Sequence, residues 1–200
     1  MSNTVKEFES RIMLEESEYF NIVSYYLRQY PNNRFLKNIN HYYDTNDHYL
    51  TKSHQTLRIR IINDSKFELT VKISNRNGDD EINDVLNKKE TEDLLNSGIF
   101  PEGNVKEHLK TLPYSLDSYK VITTLYNMRL EIEKDNYLLV IDKNVYNDIT
   151  DYNLEIEAND SIESAKKILS DYIKKFNLTH YNEKYVGKAH RAIDSVIKNN

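Results

Sequence analysis

Cysteine is absent from this chain of 200 residues. Disulfides, zinc sites built on thiolates and thiol nucleophiles are therefore excluded, and a small secreted scaffold is not expected. Glycine occurs only four times and no glycine-rich phosphate loop is found, so the nucleotide-binding folds built on such loops are not supported. No stretch approaches the roughly 20 apolar residues of a membrane helix, and the first residues lack the apolar segment of a signal peptide. We expect a cytoplasmic protein with no membrane partner.

The charge balance argues against a polyanionic macromolecule as partner. The formal net charge is -5, whereas binding to nucleic acid or to an anionic membrane is driven mainly by excess lysine and arginine. Any anion-binding site must then be locally basic. Hydrophobic residues make up 38% and charged residues 30% of a chain that has the length of one domain, so we expect one folded domain over residues 1–200. We expect a monomer or a homodimer.

Apolar periodicity predicts strands and amphipathic helices in one chain. Alternation predicts strands over residues 5–14, 35–44, 56–62, 66–74, 122–134, 137–146 and 152–158, with a further short strand near Glu81. Helical spacing predicts helices near residues 19–30, 90–96, 105–112, 161–176 and 185–198. The sequence therefore predicts an antiparallel sheet with helices packed on its apolar face.

The polar face of five predicted strands is charged. In the first strand Glu7, Glu9 and Arg11 share one face, and the opposite face carries Phe8, Ile12 and Leu14. The other charged faces carry Arg58 and Arg60, Glu68 and Lys72, Arg129, Glu131 and Glu133, and Glu155 and Glu157. An open sheet whose charged face is wetted by solvent would explain this pattern. A closed sheet whose lumen holds matched acids and bases would explain it equally well, and alternation alone leaves both architectures open.

The ordered set of charged motifs resembles the CYTH superfamily, whose first-strand motif is Glu-x-Glu-x-Lys. Glu7, Glu9 and Arg11 match this motif with arginine in place of lysine. Further matches follow in order: Tyr42-Tyr43-Asp44-Thr45, Leu57-Arg58-Ile59-Arg60, Leu69-Thr70-Val71-Lys72, Arg129, Asp142, and the pair Glu155 and Glu157. The chain is most similar to the small bacterial YjbK-like branch of these triphosphate tunnel metalloenzymes, over essentially all its residues. The resemblance implies an α+β fold: an eight-stranded antiparallel β-barrel or tunnel with amphipathic helices packed on the outside.

The resemblance also implies a divalent-metal-dependent hydrolase of inorganic triphosphate or of a small organic triphosphate such as thiamine triphosphate. Carboxylates are hard donors that suit Mg²⁺ or Mn²⁺, and the expected metal ligands are Glu7, Glu9, Asp142, Glu155 and Glu157. The expected phosphate-binding residues are Arg11, Arg58, Arg60, Lys72 and Arg129, with Lys184 and Lys188 competing for a last position. Glu7, Glu9 and Arg11 are the expected catalytic residues. Glu81 and Glu131 are further candidates, and any of these acids could instead be a salt-bridge partner.

Two other functions fit the same residues. A class IV-type adenylate cyclase would bind ATP with the same basic residues but needs an adenine pocket that the sequence does not reveal. A non-catalytic polyphosphate- or nucleotide-binding module would keep the basic residues without activating water. The six histidines show no recognised metal spacing, so we predict no catalytic histidine.

Overall fold

The structure is a computed structural model that describes residues 8–75, 78–179 and 185–197. In this part of the chain eight strands belong to one sheet. They are β1 (Phe8–Leu14), β2 (Leu36–Asp44), β3 (Gln55–Ile62), β4 (Lys66–Asn75), β5 (Gly78–Leu86), β6 (Lys120–Glu133), β7 (Tyr137–Tyr146) and β8 (Ile149–Ala158). Hydrogen-bonded neighbours follow the order β1-β8-β7-β6-β2-β3-β4-β5. The predicted α+β fold with eight antiparallel strands is confirmed.

Six α-helices accompany the strands in the described residues. They are α1 (Glu16–Gln29), α2 (Tyr49–Lys52), α3 (Lys88–Ser97), α4 (Asn104–Lys110), α5 (Ile162–Phe176) and α6 (Lys188–Ile197). Capping residues set both ends of α3. The side chain of Asn87 accepts a hydrogen bond from the backbone N–H of Glu90 at the start of α3, and Gly98 ends that helix with φ +69°, a conformation that glycine adopts without strain.

The chain divides into two compact units. Among the described residues, the first unit takes in 37–75, 78–126 and 188–197, and the second takes in 8–36, 127–179 and 185–187. Each unit is a part of the chain whose residues contact mainly one another. That residues 1–200 form a single domain stays a prediction.

Each unit has its own hydrophobic core. In the second unit α1 and α5 cover the apolar faces of β1, β7 and β8, where Ile12, Ile22, Leu154 and Ala165 are almost completely buried. In the first unit Leu57, Leu69 and Val105 belong to a core that β3, β4 and α4 share. Because apolar side chains alternate along these strands, their charged neighbours must lie on the opposite face of the sheet.

Two of the differences from the sequence-based prediction have a local cause that the structure shows. Helix α2 lies between the strands predicted over residues 35–44 and 56–62, where no helix was predicted. The carboxylate of Asp44 stabilises it by accepting hydrogen bonds from the N–H groups of Leu50 and Thr51, at 2.8 and 3.1 Å. Strand β8 begins three residues before its predicted start. Asn147 and Asp148 both adopt positive φ, and this two-residue turn pairs the strand ends on either side of it.

Candidate active site

Three carboxylates meet on the charged face of the second unit. In the antiparallel pairing of β1 with β8, Glu9 lies opposite Glu157 and Arg11 lies opposite Glu155. One oxygen each from Glu9, Glu155 and Glu157 lies within 4.8 Å of the others, which is a spacing that could hold a metal ion. The structure thus brings together three of the five predicted metal ligands. Glu7, the fourth, lies outside the described residues.

Asp142, the fifth predicted ligand, forms a buried pair with Arg129. The Nε and Nη2 atoms of Arg129 donate to the two carboxylate oxygens of Asp142, both at 2.9 Å. Nη2 also donates to Glu155 at 3.2 Å, and Nη1 lies 3.7 Å from Glu131 and 3.8 Å from Glu157. Arg129 therefore lies at the centre of the acidic residues, with only 8% of its surface exposed.

Charge on its neighbours dominates the electrostatics of Arg129. Burial alone would lower the pKa of this guanidinium, but the negative charges of Asp142 and Glu155 outweigh burial and raise the pKa above its usual range. Arg129 is therefore a permanent cation. Bidentate contact between a guanidinium and a carboxylate is strong and fixes the geometry of both groups.

Arg11 lies at the edge of the acidic residues. Its guanidinium makes a salt bridge with Glu9, and its Nε lies 4.0 Å from Glu155. Five carboxylates, those of Glu9, Glu131, Asp142, Glu155 and Glu157, thus surround the guanidiniums of Arg11 and Arg129. Five negative charges against two positive charges favour a further cation among these groups.

A row of buried amides extends this face, and sequence reasoning missed it. Asn127 donates to Asn144 at 3.0 Å, Asn144 donates to Asn153 at 2.8 Å, and Asn153 donates to Glu155 at 3.2 Å. Each asparagine stands two residues from a predicted site residue on β6, β7 or β8. The strand alternation that identified the charged residues could have identified these amides too, had neutral polar residues been included.

A basic cluster lies on the charged face of the first unit. Arg58 and Arg60 on β3 lie opposite Thr70 and Glu68 on β4, and Lys72 lies two residues further along the same face. Arg60 donates from Nε to Asn40 at 3.2 Å, and Lys72 lies 3.4 Å from Glu81. The structure therefore places the predicted phosphate-binding residues of β3 and β4 on one face.

The pKa shifts show how strongly positive this cluster is. Burial alone would raise the pKa of Glu81, but the charges of Arg58 and Lys72 outweigh burial and lower it. Burial raises the pKa of Tyr42, and the charges of Arg58, Arg60 and Arg191 oppose that shift. Arg191 on α6 thus acts on the same tyrosine as the two strand arginines. It was not among the predicted site residues, although it lies one helical turn from Lys188.

Arg58 has an unusual donor. Its Nε atom is buried and finds no hydrogen-bond partner among the residues that the structure describes. A buried donor without a partner is costly, and it invites an acceptor such as a phosphate oxygen. Of the two lysines that competed for the last phosphate position, Lys188 is half-buried at the start of α6, and Lys184 lies outside the described residues.

Comparison with known proteins identifies the family. The CYTH domain family matches residues 6–184 of the chain, which is most of its length. The chain belongs to the CYTH domain family. A second finding agrees: the chain is 35% identical over 154 residues to the Bacillus subtilis protein named Putative triphosphatase YjbK, covering 77% of this chain and 78% of that protein. The predicted membership in the CYTH superfamily and its YjbK-like branch is confirmed.

Solved CYTH-like structures share the fold over nearly the whole chain. A putative adenylate cyclase from Bacillus halodurans superposes with a TM-score of 0.82 at 28% identity, covering 94% of this chain and 97% of its own. A Hippeastrum protein, named as a putative adenylyl cyclase with a dominant triphosphatase activity, superposes with a TM-score of 0.76 at 18% identity, covering 94% and 95%. The second likeness bears on the fold alone. In the described part of this CYTH chain, no helix is long and apolar enough to cross a membrane.

Proposed function

We propose that this CYTH protein is a divalent-metal-dependent hydrolase of inorganic triphosphate or of a small organic triphosphate such as thiamine triphosphate. The observation that carries the proposal is the meeting of Glu9, Glu155 and Glu157 within 4.8 Å. Its relative carries the name Putative triphosphatase YjbK, and the shared sequence supports a common substrate class. A cytoplasmic location and a monomeric or homodimeric state stay predictions.

The donor set suits Mg²⁺ or Mn²⁺. Carboxylate oxygens are the ligands that these hard cations prefer, and the surplus of negative charge around Arg11 and Arg129 would be reduced by such an ion. Glu9, Glu155 and Glu157 would hold it, with Glu7 as a further predicted ligand. A bound divalent ion would neutralise negative charge on phosphoryl oxygens and would lower the pKa of the attacking water. Asp142 contributes less directly, since both its oxygens already accept hydrogen bonds from Arg129.

The basic residues would bind and orient the phosphates. Hydrolysis of a terminal phosphoryl group mainly requires positioning and neutralisation of charge. Arg58 offers an unpartnered buried donor, and Arg60 and Lys72 share its strand face. Arg11 and Lys188 complete the proposed phosphate-binding set. Arg129 was predicted to belong to it, but its contacts with four carboxylates favour a role in holding those acids in place.

A second candidate is a class IV-type adenylate cyclase. The Bacillus halodurans structure, which is named a putative adenylate cyclase, is 28% identical to this chain and supports that alternative. A non-catalytic binding module is the third. Hydrolysis needs only phosphate and metal contacts, whereas the cyclase also needs an adenine site, so we favour the triphosphatase.

Product analysis separates these three functions. The purified protein is incubated with inorganic triphosphate, thiamine triphosphate or ATP, with Mg²⁺, with Mn²⁺ or with EDTA, and phosphate, pyrophosphate and cyclic AMP are quantified. We expect phosphate from a triphosphate only when a metal is present. Cyclic AMP from ATP would establish the cyclase instead, and binding without any product would establish the module.

Two variants link the activity to the three carboxylates. We expect Glu157→Gln to lower kcat/KM by about 100-fold or more, because a metal ion contributes several kcal/mol of charge stabilisation. Glu133→Gln is the matched control, since Glu133 is exposed in the same unit and takes no part in the cluster. Equal activity of the two variants would contradict the proposed metal site.

A further inference from the structure

Tyr185 contacts the one residue of the first-strand motif that departs from the family pattern. The Cζ atom of Arg11 lies 5.3 Å from the centroid of the Tyr185 ring. A guanidinium within about 6 Å of an aromatic centroid is attracted by the π face of the ring. The side chain of Arg11 is only 21% exposed, so little water screens the contact.

The contact between Tyr185 and Arg11 depends on the ring of Tyr185 more than on its hydroxyl. The Tyr185 hydroxyl donates to Oε1 of Glu155 at 3.4 Å, which is longer than the roughly 2.5–3.0 Å of a good O–H···O hydrogen bond. The same Glu155 oxygen already accepts a shorter hydrogen bond from Asn153. Losing the hydroxyl therefore removes this weak contact with Glu155, whereas losing the ring removes the surface on which Arg11 lies.

Arginine and lysine respond differently to such a ring. A guanidinium is planar, weakly hydrated and able to stack on an aromatic face, whereas an ammonium is a compact and strongly hydrated point charge. The first-strand motif has lysine where this chain has Arg11. An aromatic support therefore suits this chain's arginine better than it would suit lysine.

We propose that Tyr185 is a positioning residue for Arg11. Its ring holds the guanidinium in one orientation, so that the N–H donors are set for phosphate oxygens before the substrate binds. Preorganisation of this kind strengthens binding, because less conformational freedom is lost when the complex forms. The inference rests on the proposed function, in which Arg11 binds phosphate.

The test compares variants that remove the hydroxyl or the ring. Affinity for inorganic triphosphate is measured by calorimetry with EDTA and, in the Glu157→Gln background, in which turnover is expected to be slow, with Mn²⁺. We expect Tyr185→Leu to weaken triphosphate binding by about 3- to 30-fold, the range of a partly desolvated cation–π contact. Tyr185→Phe keeps the ring and should stay within about twofold of the parent protein by the same reasoning.

Two controls separate positioning from simple packing. Tyr137 is another half-buried tyrosine of the same unit, whose hydroxyl pairs with Tyr172 at 3.0 Å. Tyr137→Leu should lower stability and leave triphosphate affinity unchanged. In an Arg11→Lys background Tyr185→Leu should have a smaller effect, because an ammonium is more strongly hydrated than a guanidinium and cannot stack its plane on the ring.

The outcomes decide the inference and the proposed function separately. Wild-type turnover with unchanged affinity in Tyr185→Leu would overturn the positioning role and leave the triphosphatase intact. Triphosphate binding without turnover, weakened by Tyr185→Leu alone, would support the positioning role and overturn the triphosphatase. An equal effect of Tyr185→Leu in the wild-type and Arg11→Lys backgrounds would overturn the inference, and so would the absence of any triphosphate binding.

Discussion

At the scale of single residues, Asp142 and Arg129 form the pair on which the charged interior of the second unit depends. Asp142 has no exposed surface, and both its oxygens accept hydrogen bonds from Arg129. Separating a buried pair by removing one partner leaves an uncompensated charge, which is far more costly than replacing both partners. The metal-ligand role of Asp142 stays a prediction, whereas its pairing is a feature of the structure.

Replacing Arg129 tests how much stability this pair supplies. We expect Arg129→Leu to lower the free energy of unfolding by about 3–5 kcal/mol, because Asp142 and Glu155 would lose their buried counter-ion. The measurement is urea unfolding at pH 7.5. Arg129→Lys is the control, since it keeps a positive charge and loses only the bidentate geometry. If the two variants were equally stable, the positive charge of Arg129 would not contribute to stability, and only its bidentate hydrogen bonds would.

At the scale of elements, alternation was a sufficient signal for strands and a poor one for their connections. Strand β3 was predicted to within one residue of its bounds, Gln55–Ile62, because apolar residues alternate there with Arg58 and Arg60. Helix α2 was missed because its support comes from Asp44, whose hydrogen bonds to residues further along the chain leave no periodic trace. Predictions from sequence thus fail where one side chain satisfies the backbone of a distant residue.

At the start of α4, which was predicted to within one residue, a side chain from a strand also binds backbone N–H groups, and this gives a test. The carboxylate of Asp84 on β5 accepts from the backbone N–H of Asn104 at 3.0 Å and from that of Val105 at 2.8 Å. A Cβ atom on Gly103 would lie 2.4 Å from Oδ2 of Asp84. Replacing glycine by alanine often stabilises a protein by about 0.4–1 kcal/mol. Here we expect Gly103→Ala to destabilise by about 1–3 kcal/mol, because overpacking displaces the capping carboxylate.

A double variant identifies the cause. In an Asp84→Ala background the carboxylate is gone, so Gly103→Ala should cost little or become stabilising. Urea midpoints of the four proteins give the coupling between the two positions. An unchanged cost of Gly103→Ala in that background would mean that backbone conformation, and not the close approach, requires glycine.

At the scale of the whole molecule, sequence reasoning identified the charged residues but could not measure their partners. The order of motifs along the chain was enough to predict the family and the eight strands. It could not show that Arg129 contacts four carboxylates, nor that Tyr185 lies on Arg11, because most of these contacts join residues far apart in sequence. The roles of Glu7 and Lys184 stay predictions because both residues lie outside the described part of the chain, and the phosphate-binding role of Lys188 stays a prediction as well.

Two half-buried histidines give the stability of the protein a predictable pH dependence. Burial lowers the pKa of His41 and of His108 from the usual 6.5. His41 contacts Thr124 at 3.0 Å, and His108 contacts Gln55 at 2.8 Å. Because the unfolded chain binds these protons more tightly, the stabilisation is full above pH 6.5 and falls as the pH drops toward the lower folded pKa values.

At lower pH the stability of the protein should fall in a second step, separate from that of the histidines. Glu81 has a pKa below its usual 4.5, so its contribution is present above pH 4.5 and is lost only as the pH falls further. Urea midpoints between pH 7.5 and 5.0 therefore report the histidines without Glu81. We expect the midpoint to fall across this range in the wild-type protein and to fall less in a His41→Gln, His108→Gln double variant. A wild-type midpoint that rises on acidification would contradict the sign, and an unchanged slope in the double variant would assign the titration to other groups.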